Sequence, residues 1–131
     1  MNVYPQLMNM GIDGDVNIET RWTFPTGGMS FYYTVKENTV LRMSLQEIPV
    51  GDYQVYLDYS KGPDGISFSI WQRQTKLTDW LDSYDSSIRR IEMQYLSDFE
   101  VTSLNNTLSF RFKPEGTKNQ LILNRIILVR K

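Results

Sequence analysis

The chain has 131 residues, and its 14 Lys and Arg stand against 15 Asp and Glu for a formal charge of −1. Such a balance gives no basic excess to meet a phosphate backbone, which argues against nucleic acid as a partner. There is no His and no Cys, which excludes histidine-based general-base and zinc chemistry, disulfide scaffolds and thiol catalysis.

The length suits one domain over residues 1–131, large enough to bury roughly two-thirds of its unfolded surface. Aromatic residues make up 13% of the chain, which suits strands and, for Trp and Tyr, binding faces. No apolar run approaches the roughly 20 residues of a membrane-spanning helix. Met1-Asn2-Val3 lacks the basic start and apolar core of a signal peptide, so an exported protein would carry its leader outside this chain.

Within residues 1–20, Asn2 to Met10 reads as an edge strand or a lead-in, followed by the polar turn Gly11 to Asn17. Its Asp13-x-Asp15-x-Asn17 spacing matches the opening of a calcium loop. The sixth and twelfth positions hold Ile18 and Phe24 instead of Gly and Glu, which rejects an EF-hand. A different calcium site at Asp13 and Asp15 and a plain Asx-rich turn both remain open. Arg21 to Phe24 reads as a short strand stopped by Pro25, and Met29 to Val35 as a β-branched and aromatic strand. Thr39 to Leu45 forms the next.

Gly51 to Trp71 carries the clearest signal. Tyr53, Val55, Leu57 and Tyr59 alternate with Gln54, Tyr56 and Asp58, and Ile66, Phe68 and Ile70 alternate with Ser67 and Ser69. A period of two with one apolar face marks half-buried strands. The connection Lys61-Gly62-Pro63-Asp64-Gly65 has the residues of a tight turn, which predicts a hairpin.

Residues 72–88 lose the alternation. Thr78 there reads as the cap of a short helix over Asp79 to Asp82 or as part of a decorated loop. From Arg89 to Phe99 the period returns with Ile91, Met93 and Tyr95 in phase. Thr107 to Phe112 places Leu108, Phe110 and Phe112 on one face, and Gln120 to Val129 is a long apolar strand interrupted by Asn124 and Arg125. The sum is an all-β chain of about eight strands. It is expected to form an antiparallel two-sheet β-sandwich, a jelly roll, with a barrel as the alternative.

The stretches Gly51 to Tyr59, Ile66 to Ile70, Thr107 to Phe112 and Leu121 to Leu128 resemble galactose-binding-domain-like jelly rolls, among them many non-catalytic carbohydrate-binding modules. Leu81-Asp82-Ser83-Tyr84 is similar to a segment of accessory sandwiches in bacterial surface glycan-uptake proteins. The resemblance implies a glycan partner, neighbouring domains of a parent protein, and an extracellular, cell-surface or periplasmic setting. It implies no catalytic cofactor. Its common structural calcium adds interest to Asp13 and Asp15.

Candidate ligand-binding residues are Trp71, Arg73, Asp79, Trp80, Asp82 and Tyr84, aromatic and polar groups gathered where the strand pattern lapses. Indole can stack on the C–H face of a pyranose while carboxylates and guanidinium bond its hydroxyl rim. The same residues admit a structural reading, with Trp71 closing a strand and Trp80 and Tyr84 covering the core from one helical turn. Glycoside hydrolysis takes two carboxylates set across a cleft, and acidic neighbours in one loop do not supply that. The expectation is therefore a non-catalytic glycan-binding module. A structural or protein-interaction domain and a small glycosidase-like enzyme are the rivals.

Overall fold

A computed structural model describes residues 2–3, 10–14, 16–23 and 27–131. Within them the chain forms strands β1 (Asn2–Val3), β2 (Met10–Asp13), β3 (Asn17–Thr23), β4 (Gly27–Tyr33), β5 (Val40–Ser44) and β6 (Gly51–Lys61). These are followed by β7 (Ser67–Gln72), β8 (Thr75–Lys76), β9 (Leu81–Asp82), β10 (Arg89–Val101), β11 (Thr107–Lys113) and β12 (Leu121–Arg130). No helix occurs among the described residues. Three of the strands are two residues long, too short to register as a sequence period, which is why alternation counts about eight.

The strands form two antiparallel sheets packed as a sandwich. Sheet I runs β10-β6-β12-β4-β3, with β1 beside β12; sheet II runs β2-β5-β11-β7-β8, with β9 also on β7. The core lies between them and takes apolar side chains that include Leu41, Leu57, Phe68, Phe110, Leu121 and Ile126. Tyr53, Val55, Leu57 and Tyr59 are all buried there, as their alternation requires.

One expectation fails at the best-marked stretch. β6 belongs to sheet I and β7 to sheet II, so residues 51–71 do not form a hairpin. The turn itself is present, closed by Gly65 N donating to Gly62 O at 3.1 Å. It carries the chain across the core, where Tyr59 and Phe68 meet edge to face at 5.5 Å between ring centroids. The crossover is stitched on both sides: Gly62 N donates to Ser83 O at 3.0 Å, and Ile66 N to Gln120 O at 3.0 Å. A Cβ at Gly65 would sit 1.8 Å from the Ser83 carbonyl oxygen, so only glycine allows this close approach.

Three further corrections concern faces. Met93 and Tyr95 do not face the core, because register shifts between Ile91 and Gln94 and between Tyr95 and Ser97 flip the phase of β10. Both side chains are exposed, while Leu96, Phe99 and Val101 turn inward. Asn124, at a register shift of β12, is buried and accepts from Ser60 Oγ at 3.2 Å. Asp58, on the nominally wet phase of β6, is 0% exposed. Its carboxylate pairs with Arg125 and with Arg90 and accepts from Met93 N at 2.7 Å. That last bond holds Met93 at a left-handed φ of 55° inside the first bulge, a position a bulged strand uses to re-aim its side chains.

Candidate functional site

The outward phase of sheet II is built by strict alternation. Leu41 and Met43 go to the core and leave Val40 and Arg42 outside; Leu108, Phe110 and Phe112 leave Ser109, Arg111 and Lys113; Phe68 and Ile70 leave Ser69 and Trp71. Directly paired residues share a face, so the cross-strand series Gly11, Arg42, Ser109, Trp71 and Lys76 forms one outward row. With strands about 4.8 Å apart, the row extends roughly 19 Å across the sheet.

An open groove of about 700 Å³ lies on this face, lined by Asp13, Arg42, Arg73, Gln74, Ser109 and Arg111 among others. That volume is in the range of small-ligand sites. Arg42 lies across Gly11, where a Cβ would come within 3.3 Å of its Nη2, and it engages both carboxylate oxygens of Asp13. The Arg42 guanidinium holds the Asp13 carboxyl below the usual carboxylate range. Arg111 stacks on Trp71 with its guanidinium carbon 4.1 Å from the ring centroid, and Trp71 Nε1 donates to Ser69 Oγ at 2.8 Å.

Residues 72–84 form an interrupted edge strand rather than a helix. β8 and β9 both pair with β7, and the chain steps away between them. Leu77 N donates to Ile70 O at 2.8 Å, and Ile70 N donates to Thr78 Oγ1 at 3.1 Å. Thr78 is thus a surrogate ladder partner and not a helix cap. The excursion exposes Asp79 and Trp80. Trp80 sits under Lys76 at 5.0 Å and Lys113 at 5.9 Å, and both lysines belong to the outer face of sheet II.

The six residues expected to bind ligand therefore divide. Trp71, Arg73 and Trp80 share the outer face of sheet II. Arg73 takes a left-handed φ of 54° in the β8 turn and donates to Leu104 O. Asp82 instead caps its own loop, accepting from Tyr84 N at 2.9 Å. Tyr84 lies at the rim beside the β6–β7 crossover, bridged to Gly62 and 4.3 Å from Lys118 Nζ. Trp80 and Tyr84 are 41% and 42% exposed, so neither is sealed in the core. Arg42, Arg111, Lys76 and Lys113 were not among the expected residues. Alternation alone places each opposite an apolar neighbour, but only the strand order brings them to one face.

The calcium reading fits poorly at Asp13, whose two oxygens face a guanidinium. Asp15 lies outside the described residues. Among the described residues no group of three or more acidic side chains converges as a metal site would.

This two-sheet antiparallel sandwich is the architecture of carbohydrate-binding modules of the CBM6 and CBM36 types. The chain superimposes on CsCBM6-3 of Clostridium stercorarium, solved in complex with cellobiose, with TM-score 0.64 and 10% identity over 100% of this chain and 94% of that one. It superimposes on the C-terminal CBM6 of LamC, a marine laminarinase of Zobellia galactanivorans, with TM-score 0.56 and 16% identity over 99% and 98% of the two chains. A Paenibacillus xanthan lyase matches with TM-score 0.72 and 14% identity over 99% of this chain, which spans 13% of the lyase. At these identities the likeness is one of fold. No curated protein matches the chain in sequence. The chain belongs to the family described as Domain of unknown function (DUF8441), whose sequence profile matches residues 2–131.

Proposed function

We propose that this chain is a non-catalytic carbohydrate-binding module that docks glycan on the outer face of sheet II. The observation that carries the reading is the groove of about 700 Å³ lined by three guanidiniums, one of them stacked on the Trp71 indole, with Trp80 elsewhere on the same face of the sheet. Rings offer flat contact area and guanidiniums offer multiple donors for sugar oxygens. The similarity of fold to modules solved with cellobiose or taken from a laminarinase supports the same class of ligand. Binding without turnover is supported by the lining: its one described carboxylate is Asp13, committed to Arg42, whereas glycoside hydrolysis takes a pair. We place the module in a larger exported bacterial glycan-processing protein, a setting suggested by a match that spans 13% of a xanthan lyase.

Affinity electrophoresis against a panel of polysaccharides tests this. The expected result is retardation by at least one polysaccharide, reduced about tenfold in affinity by Trp71→Ala or Trp80→Ala, since each ring holds cations at the site and such contacts contribute on the order of 1–2 kcal/mol. Unaltered mobility in every gel contradicts it.

A rival reading, a protein-docking domain, draws on the outer face of sheet I, where Met93, Tyr95 and Val129 are exposed. Sedimentation that depends on concentration and is abolished by Tyr95→Ser favours that rival.

A further inference from the structure

Resting on the glycan reading above, we infer that the ligand of the sheet II face is an acidic glycan, one bearing carboxylate or sulfate groups, with Arg111 as its central anchor. The chain as a whole carries a formal charge of −1, yet its charges are unevenly placed. Arg42, Arg73, Arg111, Lys76 and Lys113 all belong to this face or its groove. The described carboxylate in the groove lining is Asp13, which answers Arg42 alone. Arg111, Lys76 and Lys113 have no ion-pair partner among the described residues, and Arg73 is held only by the Leu104 carbonyl. Sheet I contrasts with this: Arg90 and Arg125 converge there on Asp58, and Lys131 meets Asp98 at 2.9 Å.

Asp82 shares the row of Lys113 through Ser67, and Asp79 is exposed next to Trp80. The groove itself, however, sets three guanidiniums against the one described carboxylate of Asp13, and that excess projects a positive potential into it. The aromatic rings strengthen the case. A site for neutral sugar needs an open ring face, but here Trp71 holds Arg111 and Trp80 lies beneath two lysines. The indoles orient positive charge by cation–π contact. A guanidinium stacked flat keeps its N–H donors in its own plane, where they suit the two oxygens of a carboxylate or sulfate. Arg111 Nε is buried with no hydrogen-bond partner, and no carboxylate among the described residues pairs with that guanidinium. Trp71 and Lys76 continue the row from Arg42, which gives room for more than one negative group along an extended chain.

The test is affinity electrophoresis of the full chain in gels cast with polygalacturonate, a sulfated galactan, fully methyl-esterified pectin or xylan, with single-stranded DNA titrated as a charge control. The expected result is retardation by a polyanionic glycan that fades as NaCl rises from about 0.05 to 0.5 M, with methyl-esterified pectin bound at least tenfold more weakly than polygalacturonate. The polyuronate and sulfated gels separate the two sources of negative charge. Arg111→Ala should weaken binding at least tenfold. Arg111→Lys, which keeps the charge and loses the planar fork, should weaken it several-fold, and Asp13→Asn, which releases Arg42, should tighten it. Near-ultraviolet circular dichroism checks that each variant is folded, and Lys113→Ala provides an independent loss on the same face.

Equal, salt-insensitive binding of neutral and acidic glycans would overturn this inference and leave the carbohydrate reading intact. Failure to bind any glycan would remove both. DNA held as tightly as the best glycan would also overturn it, by reducing the face to a general polyanion patch. So would wild-type affinity in Arg111→Ala and Lys113→Ala together.

Discussion

Asp58 accepts from Met93 N at 2.7 Å and pairs with Arg90 and Arg125 from a position with no exposure. Asp58→Asn leaves two guanidiniums facing a neutral amide, and breaking a buried pair from one side costs about 3 kcal/mol. Urea unfolding should show that loss, and the amide resonance of Met93 should move because its acceptor has changed. Asp98 shows the opposite case, an exposed pair of small energetic weight. Lys131 and the Tyr95 hydroxyl both donate to it, and they hold its carboxyl below the ordinary value of 3.8. A depressed carboxyl contributes stability that is present above its unfolded pKa and lost as pH falls through the folded one. The same hydrogen bond raises the Tyr95 phenol above its ordinary 10.0, so that part is present below pH 10 and lost as pH rises through the folded value. An NMR titration should find the Asp98 carboxyl below 3.8, and Lys131→Ala should bring it back up.

At the scale of elements, the 72–84 segment depends on a side chain completing a β-ladder. Ile70 N lies between the reach of β8 and that of β9, and Thr78 Oγ1 is its acceptor. Thr78→Val keeps the shape and removes that acceptor, which should cost on the order of 1 kcal/mol. Hydrogen exchange at the Ile70 amide should accelerate, with the amides of the opposite sheet unaffected. This segment also marks where sequence reading stops. The loss of alternation after Gln72 locates an irregular region correctly, but a polar run does not distinguish a helical turn from a broken edge strand. The Gly62–Gly65 turn teaches the same lesson. Its Pro-Asp-Gly chemistry is local and serves a hairpin or a crossover equally, while the choice between them is made by Ser83 and Gln120, about twenty and fifty residues away. In β10, one inserted residue reverses the side chains that follow until a second restores the phase at Phe99, and nothing in Ile91 to Phe99 announces either insertion.

For the whole molecule, the apolar phases of β6, β7 and β11 were legible, and with them a sandwich whose core holds Leu57, Phe68 and Phe110. The order of the strands was not, because pairing across long sequence separations leaves no mark on local composition. That order decides which polar residues become neighbours. Arg42, Arg111, Trp71 and Lys76 come from four strands, yet β5, β11, β7 and β8 are consecutive in sheet II. A formal charge of −1 therefore describes the chain and not its faces. The sequence alone pointed to Trp71, Arg73 and Trp80, and the fold adds the cations around them while drawing Asp82 and Tyr84 to the rim.

The most direct check is an amide and indole NMR map of the chain titrated with an acidic oligosaccharide, such as a trigalacturonate. The account predicts shifts concentrated on Arg42, Arg73, Ser109, Arg111 and the Trp71 indole, the outward row and groove of sheet II. Shifts confined to the outer face of sheet I around Tyr56 and Tyr95, or a spectrum that the sugar leaves unchanged, would contradict it.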